Sequence, residues 1–165
     1  MEDGMMEKGV AHVPPGAGSK SLWVLGELVT YKTTSDQTGG AYSLFEVESR
    51  PGDGPPPHVQ HWEDESFWVL EGEDEFVVEG HTTRANVGSL VYVPRGNLHT
   101  HKNVGDGPGR MLLSQTPGGS HERFFGEIGK PAADGPRSLL PEGQADVVKL
   151  AAVAAKYGIE IPPGR

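Results

Sequence analysis

From Leu22 to Gln115 the chain never runs far before a glycine, proline or aspartate breaks it. Between the breaks lie short runs rich in β-branched and aromatic residues. They are Leu22–Leu25, Leu28–Tyr31, Tyr42–Val47, Glu65–Leu70, Glu73–Val78, Thr82–Asn86, Leu90–Val93, His99–Asn103 and Arg110–Gln115. Runs of this length and spacing cannot build a helical bundle; they predict an all-β sandwich or barrel. The 24 glycines and 14 prolines in 165 residues fit many tight turns. A chain of this length forms one domain and can bury about two thirds of its unfolded surface.

The ends differ from this middle. Residues 1–20 read as a loose arm ending in Pro14-Pro15-Gly16-Ala17-Gly18, residues 21–117 as the barrel, and residues 118–165 as a helical extension packed on it. In the extension, Ser120–Ile128 suits a short helix carrying Phe124, Phe125 and Ile128. Asp134–Gly143 is a connector, and Gln144–Tyr157 spaces Val147, Leu150, Ala151, Ala154 and Tyr157 as one helical face. Thr33–Gly40 reads as a loop.

Composition excludes several functions. With 23 acidic against 14 basic residues and a net charge of −9, the chain would repel nucleic acid and anionic membranes. The absence of cysteine removes disulfides, zinc–thiolate sites and thiol nucleophiles. The acidic start Met1-Glu2-Asp3-Gly4-Met5-Met6-Glu7 has no signal-peptide pattern, and no apolar run is long enough to span a bilayer. A cytoplasmic protein is the expectation.

Chemistry concentrates in two stretches. In Pro57-His58-Val59-Gln60-His61-Trp62-Glu63-Asp64-Glu65, strand alternation turns His58 and Gln60 to one face and Val59 and His61 to the other. Glu65 re-enters the same interior on the following strand, with Phe67 and Val69 on its parity as pocket wall or core. Downstream, Pro94-Arg95-Gly96-Asn97-Leu98-His99 brings in a second imidazole, and His101 shares the parity of His99. Two imidazoles, an amide oxygen and a carboxylate form a mixed nitrogen/oxygen donor set. It suits a divalent Mn, Fe, Co, Ni, Cu or Zn ion and leaves coordination positions open for substrate. His101 is a candidate extra ligand or general acid/base. His12, His61, His81 and His121 read as surface residues, and Glu63-Asp64 as a solvated turn whose Glu63 can support a neighbouring ligand. Trp23 and Trp68 read as core or interface aromatics.

These stretches resemble the two motifs of the cupin superfamily, G-x5-H-x-H-x3–4-E-x6-G and G-x5-P-x-G-x2-H-x3-N. His58, Glu65 and Gly72 match the first; Gly88, Pro94, Gly96, His99 and Asn103 match the second. The likeness is strongest to small one-domain bacterial cupins compared with quercetin dioxygenases. It extends over roughly residues 22–161, including the Phe-Phe helix and the closing Leu150–Ile161 segment. It implies a double-stranded β-helix (jelly-roll) barrel with a short helical extension. The metal ligands would be His58, Gln60, Glu65 and His99, with Gln60 standing where the family places a second histidine.

The activity so implied is a metal-dependent oxygenase acting on an aromatic or enolic small molecule, with Glu65 as base if its pKa is raised. The alternatives are a redox-neutral isomerase, cyclase or lyase, and a non-catalytic binder. The resemblance also implies a homodimer, for which Trp23–Val29 offers an apolar edge or face.

Overall fold

The computed structural model describes residues 9–134 and 147–164, and two antiparallel sheets dominate it. The first has seven strands. In spatial order they are β11 (Lys130–Pro131), β1 (Ser21–Val24), β2 (Glu27–Thr33), β3 (Ser43–Ser49), β10 (Gly109–Thr116), β5 (Asp64–Glu71) and β8 (Leu90–Val93). The second has five, in the order β12 (Ile159–Glu160), β4 (His58–Gln60), β9 (Leu98–Asn103), β6 (Asp74–Val78) and β7 (His81–Ala85). The barrel and all nine strand runs read from the sequence are therefore present. The Thr33–Gly40 loop holds one short helical turn, α1 (Ser35–Thr38), closed by a Thr34/Gln37 capping box.

Alternation places the core. On β5, Glu65, Phe67 and Val69 are buried while Trp68 is half exposed; on β10, Met111, Leu113 and Gln115 are buried; on β9, His99, His101 and Asn103 are. The apolar part of the core includes Phe45, Phe67, Phe76, Val69, Val93 and Met111, each nearly or wholly shut off from solvent. Phe45 meets Tyr31 and Phe125 edge-on at ring separations of 5.0 and 5.1 Å, the geometry aromatic quadrupoles favour.

The C-terminal part joins the barrel at both sheets. Helix α2 (Ser120–Ile128) occupies the span expected and buries His121, Phe124 and Phe125. Glu122 fixes the start of this helix. Its carboxylate accepts from Ser35 N at 2.9 Å and from Ser43 Oγ at 2.5 Å, and its carbonyl accepts from Tyr31 Oη at 2.6 Å. Helix α3 (Val147–Ala155) lies within the helical span read from the sequence, and β12 after it pairs with β4. Two-residue strands such as β11 and β12 carry no sequence pattern of their own. The connector 134–143 lies, beyond Asp134, outside the described residues.

Two expectations change. The segment Trp23–Val29 is no open edge: β1 is paired on both sides, by β2 and β11, and Leu22, Val24 and Val29 face the protein's own core. Within the segment Leu25 is exposed, and more strongly exposed apolar side chains lie elsewhere, with Trp68, Leu90 and Tyr92 among them. Residues 14–20, part of the expected arm, run against β2. Lys32 Nζ donates to the carbonyls of Pro14 and Ala17, and Ser19 and Lys20 bond to the Tyr31 backbone.

Gly54 shows why the proline-rich stretch before β4 must have its composition. A Cβ at this position would stand 1.9 Å from the backbone carbonyl oxygen of His101 and 3.1 Å from Lys102 Cα. Only a residue without a side chain lets this loop lie so close on β9, and the loop leads directly to His58. Gly54→Ala is expected to lower unfolding free energy by about 1–3 kcal/mol, the usual cost of forcing extra volume into a packed contact. A urea midpoint equal to that of the wild type would show that the loop relaxes freely.

Candidate metal centre

Strands β4 and β9 pair with His58 opposite His99, so their rings lie side by side with centroids 4.4 Å apart. Glu65 comes from β5 in the other sheet. One ligand-capable atom from each of the three lies within 4.8 Å of the other two, an arrangement that can hold a metal ion. The structure thus brings together three residues that stand up to 41 positions apart in the chain.

The hydrogen bonds behind these side chains decide which atoms face inward. His58 Nδ1 lies 2.9 Å from the Pro56 carbonyl oxygen, and His99 Nδ1 lies 2.9 Å from the Asn97 carbonyl oxygen. A carbonyl only accepts, so both Nδ1 atoms must donate. Each histidine is thereby held with its Nδ1 proton on a carbonyl two residues upstream, and its Nε2 is left for the site. His99 Nε2 then faces Glu65 Oε1 at 2.9 Å. A lone pair and a carboxylate at that separation repel unless a proton or a cation joins them. The donor chemistry of the site therefore fits a cation.

Glu65 is held from its other side by Gln115, whose Nε2 donates to Glu65 Oε2 at 3.1 Å across a register pair of β5 and β10. Gln115 is fully buried. Gln60 is buried as well, and its Nε2 lies 3.0 Å from His121 Nε2, leaving its Oε1 buried with no hydrogen-bond partner among the described residues. An unpartnered amide oxygen in a cluster of inward lone pairs is a further donor a cation can use.

The surroundings lower the pKa of His58 and of Glu65 and raise that of His101. Burial first, then the neighbouring His99, lowers the His58 imidazole from 6.5 to about 4. Burial alone would raise the Glu65 carboxyl. Without an ion the join is a proton on His99 Nε2: its hydrogen bond, then the imidazoles of His121, His99 and His58, outweigh burial and hold the group at about 2. The raised pKa that a base role at Glu65 requires is absent for that reason. His101 also lies in the cavity wall. Burial works against its charge, but contact with Asp74 and the carboxylates of Glu27 and Glu65 carry it above the ordinary imidazole range. Its Nδ1 is 3.8 Å from Asp74 Oδ1, and both are buried.

The site opens into a cavity of about 70 Å³, continuous with solvent at its mouth. His58, Gln60, Glu65, His101 and His121 form its polar end. Apart from Glu27 the rest is apolar, with Val29, Val47, Phe67, Leu113, Phe124 and Ile161 among the wall residues. Phe67 is wall, as its parity allowed. Val69 is not: it stands opposite Met111 and packs wholly within the core.

His61 is exposed and pairs with Glu160, and His12 and His81 are exposed too. His121 and Glu63 are corrections. Both are nearly inaccessible to solvent, because α2 folds back over the end of β4 and covers the turn before β5. Gln115 and Asp74 were likewise missed. For His121 a signal existed: it stands three and four positions before Phe124 and Phe125, on the apolar face of the helix.

Residues 45–114 match the Cupin domain model (Cupin_2), and the barrel has the double-stranded β-helix fold of the cupins. Among curated relatives, a germin-like protein of subfamily 2 from Arabidopsis thaliana is 37% identical over 46% of this chain and 38% of its own length. Quercetin 2,3-dioxygenase from Bacillus subtilis (strain 168) is 26% identical over 57% of this chain and 27% of its own. The chain thus spans well under half the length of either. Among solved structures, KdgF from Halomonas sp. superposes with a TM-score of 0.54 at 16% identity, covering 59% of this chain and 84% of that one. The polyketide cyclase RemF from Streptomyces resistomycificus gives 0.52 at 25% identity, covering 59% and 72%. No helix among the described residues is long and apolar enough to cross a membrane.

The two lowered pKa values carry a stability consequence. His58 and Glu65 each bind fewer protons folded than unfolded, His58 between pH 6.5 and about 4 and Glu65 between 4.5 and about 2. Stability therefore falls as pH drops through both windows. His101 has the opposite sign: its contribution is full below the unfolded imidazole pKa and is lost as pH rises through its raised folded value. Urea titrations of EDTA-treated protein are expected to place the highest midpoint near pH ~6.5, with the steeper loss on the acid side. In His58→Gln the decline between pH 6.5 and 4 should flatten; an unchanged slope there would count against the assignment.

Proposed function

We propose that this cupin domain is a metal-dependent oxygenase acting on a planar aromatic or enolic small molecule, with the ion held by His58, Gln60, Glu65 and His99. The observation that carries the reading is the opposition of His99 Nε2 and Glu65 Oε1 at 2.9 Å, with His99 Nδ1 already committed to a carbonyl. A divalent ion bound there supplies a Lewis acid, and with Mn, Fe, Co, Ni or Cu a redox partner for dioxygen, at the polar end of an apolar cavity.

The chain's own residues do the remainder. The aliphatic and aromatic walls take up the flat body of the substrate and exclude water from it. Glu65, held ionised, accepts a proton only from a hydroxyl already acidified at the site. His101, in the cavity wall with Asp74 at its Nδ1, is placed to donate a hydrogen bond to a substrate oxygen. Phe67 packs against His101 at a ring separation of 5.4 Å and limits how that ring can turn.

A redox-neutral reading uses the same site. The 25% identity to a polyketide cyclase favours it as the second choice, since enolate chemistry needs the acid and base groups but no oxygen.

Elemental analysis of the gently purified protein beside the His58→Ala/His99→Ala double variant tests the metal reading. Near-stoichiometric metal in the wild type and none in the variant is the expected result. Oxygen uptake with flavonol-like substrates should follow metal content. Turnover that persists without oxygen would transfer the assignment to the redox-neutral class. Absence of metal after reconstitution would leave a small-molecule binder.

A further inference from the structure

The sequence places glutamine where the family's motif has a second histidine, and the fold surrounds that glutamine with two residues that strand parity alone does not bring to the site. Gln60, on β4, has its amide nitrogen 3.0 Å from His121 Nε2 on α2. The other ring nitrogen, His121 Nδ1, is 3.8 Å from Glu63 Oε1. Glu63 comes from the turn between β4 and β5 and is 1% exposed; among the described residues neither of its oxygens has a hydrogen-bond partner. Phe125 and Phe124 stand edge-on to the His121 ring at 5.0 and 5.7 Å and wall it in.

We infer that Glu63 and His121 are positioning residues that fix the Gln60 side chain with its carbonyl oxygen toward the ion, making an amide serve where an imidazole would otherwise stand. The argument is one of complementary donors. A buried carboxylate beside Nδ1 favours the tautomer with its proton on that nitrogen. Nε2 is then an acceptor, and the only group Gln60 can offer it is its NH₂. The amide must therefore turn its Oε1 away from His121, and that is the atom left buried and unpartnered. With the other tautomer the amide would rotate by half a turn and present its NH₂, which cannot ligate a cation. The relay reaches from a turn of the barrel through the C-terminal helix, so α2 takes part in metal binding without touching the ion.

This inference rests on the metal reading above, and its test separates the two. Binding of Co(II) and Mn(II) to the full-length chain would be measured by competition with a chelator, for the wild type, Glu63→Gln, His121→Ala, Gln60→Ala and the double variants. Circular dichroism of each variant checks the fold. Loss of a supporting residue of this kind typically weakens metal affinity about 10-fold to 100-fold. Glu63→Gln and His121→Ala are expected to fall in that range and to shift the Co(II) visible bands. In the Gln60→Ala background neither should weaken binding further, because the group they orient is gone. Additive losses in that background, or wild-type affinity in Glu63→Gln, would overturn the relay. Should His121→Ala fail to fold, the nearly isosteric Glu63→Gln carries the decision. A wild-type chain that binds neither ion, or binds them as well in His58→Ala/His99→Ala, would overturn the metal reading itself.

Discussion

Much of this structure is arranged around lone pairs that converge with too few protons among them. His58 and His99 each commit an Nδ1 proton to a carbonyl two residues upstream, and Glu65 faces the remaining nitrogen of His99 from the opposite sheet. Burying a carboxylate costs several kcal/mol unless charges or donors compensate it. Here Gln115 donates to one oxygen of Glu65, while the other faces His99 Nε2, where a proton or a cation has to complete the balance. The turns serve this arrangement. Pro56 and Asn97 lie in segments whose carbonyls point back at the rings, and Gly54 lets the first of those segments lie against β9. A sheet pairing that slipped by one residue would turn His58, Gln60, His99 and His101 outward together, so register and site are one constraint.

Around this polar end the cavity is lined by apolar side chains, and a good share of them belong to the C-terminal part. Phe124 and Phe125 on α2, and Ile159 and Ile161 beyond α3, form wall beside residues of the barrel strands. β12 also covers the edge of β4, the strand that carries His58 and Gln60. The C-terminal segment is thus a wall of the cavity as much as an extension packed on the outside. Glu122 ties the beginning of α2 to Ser35, Ser43 and Tyr31, which sets where His121 stands.

The division between what sequence reasoning reached and what it missed follows the range of the interactions. Strand parity is local, so the burial of Gln60, Glu65, His99 and His101 could be read from alternation, and the bounds of α2 from its apolar spacing. Whether Val69 is wall or core depends on what lies opposite it, here Met111, and alternation does not contain that. His121 and Gln60 meet across 61 positions of chain, a contact that no periodicity encodes. Glu63 reads as solvated because charged turn residues usually are; it is buried because a distant helix lies over it.

The substitution at position 60 also bears on which ion and which chemistry the site favours. An amide oxygen is a harder and weaker donor than an imidazole, so exchanging one for the other shifts preference away from ions that demand nitrogen. Weak donors depend on orientation more than strong ones, because the energy lost in a misaligned contact is a larger part of what they contribute. A histidine at position 60 would need two torsions fixed; a glutamine needs three and the choice between its two amide atoms. A walled-in imidazole with a carboxylate behind it answers that need, since it restricts the amide plane and distinguishes oxygen from nitrogen in one contact. Selectivity for the ion is in this view set partly outside the coordination sphere, by groups whose own geometry depends on how the C-terminal helix is seated.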